Sequence, residues 1–121
     1  MRFQDLLAYK KSFALAMRIF EISKAFPKTE TYALTDQIRR SSRSVSANVA
    51  EAYRKRLYPR HFISKLTDSD AENSETQTWL EFALACKYID EKTFSECAAQ
   101  SDEVGKLIQY MMRNPAKFGA K

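Results

Sequence analysis

Apolar residues recur at intervals of three and four along most of this chain, which is the spacing of helices that each bury one face. Four such stretches are present, at about residues 5–25, 33–56, 59–88 and 91–112. Pro27 and Asn114-Pro115 end the first and the last of them, and Pro59 suits the first turn of the third. With only 2 glycines and 3 prolines, the chain lacks the turns that a sheet needs. The pattern predicts an all-α, up-down-up-down antiparallel four-helix bundle.

Polar residues at the helix starts and the length of the chain complete this prediction. Asp5, Thr35 and Asp90 precede the first, second and fourth helices, and we expect them to cap these helices. A chain of 121 residues buries enough surface to fold as a single domain, residues 1–121. Residues 114–121 follow the last stop signal, so we expect a loose tail there.

The apolar faces of the predicted helices indicate self-association. The third helix is polar at the middle of its core face, where Ser69, Asn73 and Thr76 fall. The main stripes of the second, third and fourth helices are Leu34, Ile38, Val45, Val49 and Ala52; Phe62, Leu66, Leu80, Ala83 and Leu84; and Phe94, Cys97, Ser101, Val104, Ile108 and Met111. The first helix has two stripes, one of Leu6, Phe13, Met17 and Phe20 and one of Leu15, Ile19 and Ile22. Because a bundle needs one stripe per helix, the surplus on the first and third helices predicts a homo-oligomer.

Charge is segregated between neighbouring helices. The stretch from Gln37 to Arg60 holds seven Lys and Arg against one acid, Glu51, which gives a net +6 when the whole chain carries only +5. Its cations are Arg39, Arg40, Arg43, Arg54, Lys55, Arg56 and Arg60. Between Asp68 and Glu81 there are five acids and no base. The second helix is therefore basic and the third acidic.

Two interpretations of the basic helix follow from these residues. In the first, its cations contact phosphates, as arginines along one helix face do in nucleic-acid-binding proteins. In the second, the arginines serve subunit assembly: Arg39 or Arg43 neutralises acids of a neighbouring subunit, and Trp79 is the apolar anchor. The subunit-interface residues expected on this basis are Asp68, Glu72, Glu75, Trp79 and Phe82.

The chain offers little for catalysis or for a bound cofactor. His61 is the only histidine, and two glycines cannot build a phosphate-binding loop. Glu72 and Glu75 are three residues apart, but no Glu is followed by His at the spacing of bundle di-metal sites. We therefore expect a non-enzymatic protein without metal or cofactor. Cys86 and Cys97 are expected to be reduced, and no apolar run reaches the length of a membrane span, so we expect a cytoplasmic protein with no membrane partner.

An ordered string of residues in the first half of the chain resembles a known family. It runs through Phe26-Pro27, Glu30, Tyr32, Leu34, Gln37-Ile38-Arg39-Arg40, Ser44-Val45 and Asn48-Val49-Ala50-Glu51, and continues with Glu75, Leu80, Ala83 and Tyr88-Ile89. This order is similar to that of the four-helix-bundle proteins encoded within intervening sequences of bacterial 23S rRNA, over about Phe3 to Met112. Ala52 stands where the family commonly has glycine, and Ala71-Glu72-Asn73-Ser74-Glu75 keeps only the Glu of a Gly-Ser-x-x-Glu pattern. Both departures favour a more regular helix.

The resemblance implies a bundle that assembles as a ring-like homo-oligomer, typically a homopentamer. The chain also looks like the accessory variability protein of retroelements, a basic pentamer that binds nucleic acid and partners a reverse transcriptase. We therefore expect a non-enzymatic homo-oligomeric accessory protein that binds RNA or DNA, favouring structured RNA or lacking sequence specificity, with a reverse transcriptase or another protein as a further partner. The alternative is a structural or protein-interaction bundle whose arginines serve assembly.

Overall fold

Four α helices joined by short turns make up the protein, and it has no strand. The computed structural model describes residues 1–121. The helices are α1 (Leu7–Ser23), α2 (Asp36–Arg54), α3 (Pro59–Ala85) and α4 (Glu91–Arg113). The remaining elements are 3-10 turns at Phe3–Asp5, Lys28–Glu30 and Pro115–Phe118 and a π turn at Thr31–Thr35. The predicted all-α fold with four helices is confirmed, and none of these helices combines the length and the apolar character needed to cross a bilayer.

Of the three predicted helix caps, only that of α4 is correct. The Asp90 carboxylate accepts a 2.8 Å hydrogen bond from the Thr93 N–H, and this bond holds the pKa of Asp90 below its ordinary value. Asp5 instead accepts from the Arg2 N–H at 3.0 Å within a 3-10 turn, so α1 begins after it, at Leu7. Thr35 makes no cap because helical backbone already precedes it in the π turn.

The helices α1 and α3 are shorter than predicted. α1 extends from Leu7 to Ser23, and α3 ends at Ala85 rather than near residue 88. The end of α3 has a local cause, because Lys87 takes a left-handed φ of 63° and the Tyr88 N–H bonds back to the Ala83 carbonyl at 2.9 Å. This backbone arrangement closes a helix C-terminus.

Cross-helix contacts show that each helix runs opposite to the neighbours it touches. For each pair of helices two contacts are compared, and the contact with the higher residue number on one helix has the lower residue number on the other, as in antiparallel helices. The contacts are Ser12–Ser46 and Ser23–Arg39 for α1 and α2, Ser41–Thr76 and Val45–Ser69 for α2 and α3, Asp70–Gln109 and Asn73–Ser101 for α3 and α4, and Lys11–Glu103 and Arg18–Glu96 for α1 and α4.

A layer of buried polar side chains divides the core into two apolar clusters. One cluster, around Val49, Phe62 and Ile108, fills the half near the chain termini, and the other, around Ile19 and Leu80, fills the opposite half. The layer between them, which we call the polar waist, consists of Ser12, Ser41, Ser46, Ser69, Asn73, Thr76 and Ser101. No buried side-chain polar atom lacks a hydrogen-bond partner. The predicted polar middle of the third helix is thus confirmed and extends to all four helices.

The C-terminal segment is packed against the bundle, and the expectation of a loose tail is wrong. Pro115–Phe118 forms a 3-10 turn, and Gly119 follows with a left-handed φ of 85°. Ala120 is fully buried in the same apolar cluster as Tyr53 and Met111. Burial of this single methyl group anchors the segment to the ends of α2 and α4.

The two apolar stripes predicted for α1 differ in burial. The buried face is built from Ala8, Ser12, Leu15, Ala16 and Ile19. Phe13 and Met17, on the other predicted stripe, remain 50% and 48% exposed. The surplus apolar surface expected from the sequence is therefore present on the outside of the folded chain.

Candidate nucleic-acid interface

The seven predicted phosphate-binding cations fall into two groups with different surroundings. Arg39, Arg40 and Arg43 lie in the first half of α2 and contact other side chains of the bundle. Arg54, Lys55, Arg56 and Arg60 lie where α2 ends and α3 begins. Only their individual contacts show which charges are available to a ligand.

Arg40 is committed to an ion-pair cluster inside the chain. Its guanidinium donates to Glu72 at 2.8 Å and to Glu75 at 2.6 Å, and Trp79 Nε1 donates to the same Glu75 oxygen at 3.2 Å. Hydrogen bonding to Arg40 lowers the pKa of Glu75, and the two carboxylates raise the pKa of Arg40. Within the chain, Arg40 is thus the arginine that pairs with these α3 acids, and the predicted pairing of Arg39 or Arg43 with acids of a neighbouring subunit stays a prediction.

Arg39 and Arg43 share the aromatic ring of Phe20. The guanidinium carbons lie 4.8 Å and 5.7 Å from the ring centroid, and Arg39 Nε donates to Ser23 Oγ at 2.8 Å. Neither arginine pairs with a carboxylate within the chain. Because cation–π contact orients a guanidinium without cancelling its charge, both remain positive, and the exposed Arg43 is accessible from solvent.

The second group belongs to a larger cluster of cations at one end of the bundle. The C-terminal segment packs there, because Ala120 lies against Tyr53 and a Cβ added at Gly119 would lie 3.2 Å from Arg56 Cδ. The N-terminus is also close, since Tyr53 Oη donates to the Met1 carbonyl at 3.4 Å. We call this end the basic pole; its cations are Arg2, Arg54, Lys55, Arg56, Arg60, Arg113, Lys117 and Lys121.

Most of the basic pole has no carboxylate partner. Two of its eight cations pair with acids, Arg2 with Asp5 at 3.9 Å and Lys55 with Glu51 at 3.6 Å. The other six have no acidic partner among the ion pairs of the structure. The pole therefore carries positive charge that no carboxylate of the chain pairs with.

Aromatic side chains lie beside these cations. Tyr58 is 67% exposed and contacts the His61 ring edge-on at a centroid distance of 5.9 Å. Arg56 stacks on Tyr53 at 4.1 Å and donates to the Tyr53 carbonyl at 2.9 Å. An exposed tyrosine among free cations offers a stacking surface for a base next to contacts for phosphates.

The sequence prediction of this site was incomplete. It included Arg54, Lys55, Arg56 and Arg60, but Arg2, Tyr58 and the three cations of α4 and the C-terminal segment were absent from it. The predicted antiparallel topology contained the necessary signal, because it places the end of the fourth helix beside the turn between the second and third.

The predicted interface residues of α3 have mixed surroundings. Glu72 and Glu75 are held by Arg40, and Asp68 lies 3.8 Å from Lys65. Trp79 is partly buried against the core, whereas Phe82 is 54% exposed, with 6.0 Å between the two ring centroids. Of these residues, only Phe82, at the aromatic end, exposes a large apolar surface to solvent.

Comparisons with known proteins agree on the family of this fold. The model of the family described as 23S rRNA-intervening sequence protein matches residues 4–110. The chain is similar to the crystal structure of a protein of unknown function from the S23 ribosomal protein family of Bacteroides thetaiotaomicron, with 29% sequence identity and a TM-score of 0.81. That alignment covers 91% of this chain and 98% of the other. No curated protein matches the chain.

Proposed function

The chain belongs to the 23S rRNA-intervening sequence protein family, and from this premise we propose that it is a non-enzymatic, homo-oligomeric accessory protein that binds nucleic acid through its basic pole. The observation that carries the proposal is the set of six pole cations without acidic partners, three of which are arginines at the junction of α2 and α3. Guanidinium groups bind phosphate oxygens through two parallel hydrogen bonds, so such a set favours a polyanion.

The preferred ligand in this proposal is structured RNA, bound mainly through its backbone. Phosphate contacts supply affinity without sequence information, and the exposed Tyr58 adds stacking on an unpaired base. In a ring of up-down-up-down bundles, a homopentamer by family resemblance, each subunit repeats the pole, and avidity multiplies a weak contact. We place this activity in the cytoplasm, in keeping with the unpaired thiols of Cys86 and Cys97.

The salt dependence of binding tests this proposal. Affinity for a fluorescently labelled RNA hairpin is measured between 50 and 300 mM salt, and the logarithm of the binding constant is plotted against that of the salt concentration. Replacing Arg54, Arg56 and Arg60 together by Gln removes about three phosphate contacts, so we expect a slope shallower by about 2 to 3.

A matched control removes the same charge elsewhere. Lys28, Lys87 and Lys92 lie at the opposite end of the bundle, and their joint replacement by Gln also lowers the net charge by three. The control variant is expected to keep the wild-type slope within about 1. Equal slopes for the pole variant and the control would show that net charge, rather than the pole, drives binding. Absence of binding at low salt would refute the proposal altogether.

A second candidate function is a structural or protein-interaction bundle, with a reverse transcriptase or another protein as partner. The observation in its favour is exposed apolar surface, above all Phe13, Met17 and Phe82. Under this alternative the protein remains oligomeric but does not bind the RNA hairpin or a DNA duplex of equal length at 50 mM salt.

A further inference from the structure

A polar groove runs along the outside of the bundle between α3 and α4. Its volume is about 660 Å³, and only one of its twelve lining residues, Tyr110, is hydrophobic. The α3 side carries Asp70 and Gln77, and the α4 side carries Asp102 and Gln109. The volume lies in the range of small-ligand sites, about 300–1,000 Å³, but the apolar walls of most such sites are missing. A ligand that fits this groove must therefore be rich in hydrogen-bonding groups.

Gly105 keeps the middle of the groove open. It lies in the interior of α4, where glycine is less favourable than alanine. A Cβ added there would lie 3.4 Å from Asn73 Nδ2, which is close to ordinary van der Waals contact. Packing within the chain therefore does not require glycine at this position, and the missing side chain leaves space for a ligand.

Four charged side chains line the groove without forming ion pairs. Asp70 and Asp102 each accept one hydrogen bond of 3.3 Å, in both cases from a glutamine amide. Neither carboxylate pairs with a cation, and neither Lys106 nor Arg113 pairs with an acid. The carboxylates thus keep free lone pairs while the cations keep free donors. The groove offers both to a single ligand.

The groove opens into the basic pole. Arg113 belongs to both, because it lines the groove at the end of α4. Beside it, Lys117 Nζ donates to Tyr110 Oη at 2.9 Å, which brings a second pole cation to the rim of the groove. Eleven residues separate Asp102 from Arg113, or about 16.5 Å along α4. A nucleic-acid strand that leaves the pole through the groove passes both carboxylates.

The carboxylates favour a nucleobase that carries an exocyclic amino group. Asp70 and Asp102 accept hydrogen bonds, and the N4 amino group of cytosine donates them. Uracil has a carbonyl oxygen at that position, and its single N3–H lies between two carbonyl oxygens that a carboxylate repels. These base edges are free for protein contacts in unpaired nucleotides, whereas base pairing occupies them in a duplex.

We propose that the α3–α4 groove binds unpaired nucleotides that extend from an RNA duplex at the basic pole, and that it selects bases with an exocyclic amino group. This inference rests on the proposed function and adds a second subsite to it. None of the exposed apolar residues Phe13, Met17 and Phe82 lines the groove, so their burial in an oligomer does not require that the groove be covered.

Hairpins that differ only in an unpaired extension test the inference. Three cytidines or three uridines are added to either end of the labelled hairpin, and affinities are measured at 50 mM salt. The two extensions carry equal charge and differ only at the N3–C4 edge of the base. On the end that reaches the groove, we expect the cytidine extension to bind about tenfold more tightly than the uridine extension.

Two groove variants connect this preference to named residues. Joint replacement of Asp70 and Asp102 by Asn supplies amides that bond to either base, so the tenfold preference should fall to about one. Removal of two negative charges changes the affinity for both extensions equally and leaves their ratio unaffected. Gly105→Met fills the floor of the groove, and the extended hairpins should then bind no more tightly than the blunt hairpin.

A matched control separates the groove from the helix that carries it. Ala99→Met adds the same side chain at an exposed residue of α4 outside the groove, and this variant should keep the preference. Circular dichroism establishes that each variant is folded. Gly105→Met should also keep the wild-type mass by light scattering. A loss of oligomer in this variant would assign the groove to a subunit contact and overturn the inference.

A second readout does not depend on the basic pole. In nuclear magnetic resonance spectra of isotope-labelled protein, the Gly105 amide signal should shift on addition of a cytidine hexanucleotide, and should shift less with a uridine hexanucleotide. Equal binding of cytidine and uridine by both readouts would overturn the inference, as would a preference that survives in Gly105→Met.

These outcomes are separable from failure of the proposed function. Binding of the blunt hairpin with a pole-dependent salt slope, but without any preference between extensions, refutes the inference alone. A cytidine-selective shift of the Gly105 signal without hairpin binding refutes the binding of nucleic acid by the pole and leaves the groove subsite standing. The absence of both refutes both.

Discussion

Replacing Asn73 by Ala tests the energetic role of the polar waist. Asn73 is 3% exposed; its Nδ2 donates to the Ser101 carbonyl at 3.0 Å, and its Oδ1 accepts from Ser101 Oγ at 2.9 Å. The substitution removes both bonds and leaves the Ser101 hydroxyl proton without its acceptor. At about 1 kcal/mol for each lost bond, the free energy of unfolding should fall by about 2 kcal/mol. For a domain of this size the melting temperature should fall by about 8 °C.

Urea denaturation followed by circular dichroism measures this loss. Ser74→Ala is the matched control, because Ser74 is the next residue of the same helix and is exposed. This substitution should change the free energy of unfolding by less than about 0.5 kcal/mol. Ser101→Ala and the double variant complete a cycle, in which a coupling energy of about 1 kcal/mol or more is expected. If Asn73→Ala is no more destabilising than Ser74→Ala, these bonds do not stabilise the fold.

Two further predictions concern acid stability and the C-terminal segment. Because Arg40 lowers the pKa of Glu75 below its ordinary value of 4.5, this carboxylate stabilises the fold fully above about pH 4.5, and the contribution disappears as the pH falls through the lowered pKa. Near pH 7 the free energy of unfolding of Glu75→Gln should be about 1 kcal/mol lower than that of wild type, as for other exposed pairs. Near pH 2 this difference should vanish. A difference that is unchanged at pH 2 would show that the Arg40–Glu75 pair is not its cause. Ala120→Asp would bury a carboxylate in the cluster around Tyr53, so the C-terminal segment should detach from the bundle. Residues 115–120 should then become protease-sensitive while the helices stay folded. Protease resistance equal to that of wild type would show that Ala120 does not anchor the segment.

Much of the fold was predictable because large apolar residues repeat at helical spacing. The face predicted for the second helix, Leu34, Ile38, Val45, Val49 and Ala52, is entirely buried, with Leu34 in the π turn that precedes α2. In α4 the stripe from Cys97 to Met111 is also buried. Both helices carry a single apolar stripe, so periodicity alone identifies the side that faces the core.

The face of α1 could not be chosen in the same way. Its buried side includes Ala8, Ser12 and Ala16, which pattern analysis weighs less than the larger Phe13 and Met17. Small residues are buried here because α1 packs closely on α2, where Ser12 and Ser46 hydroxyls lie 2.9 Å apart. Such closeness depends on both partners and is not encoded in either helix alone.

The residues of the candidate site were likewise only partly predictable from the sequence. Counting charge along α2 identified half of the basic pole. Arg113 joins it because α4 ends there, and Lys117 and Lys121 join it because the C-terminal segment folds back on Tyr53. Likewise, helical periodicity placed Arg39, Arg40 and Arg43 on one side of α2, yet only Arg40 reaches the acids of α3. The long arginine side chain and the packing of the neighbouring helix decide this choice.

The polar waist also determines how the helices align lengthwise. Leucine and isoleucine contacts would survive a shift of one helix by one turn, about 5.4 Å, because apolar surfaces are interchangeable. The hydroxyl and amide pairs Ser12–Ser46, Ser41–Thr76 and Asn73–Ser101 join successive helices at one height, so a shift of any one helix would break at least one of them. Their bonds thus select one register among several of similar apolar burial, much as a buried asparagine does in a coiled coil.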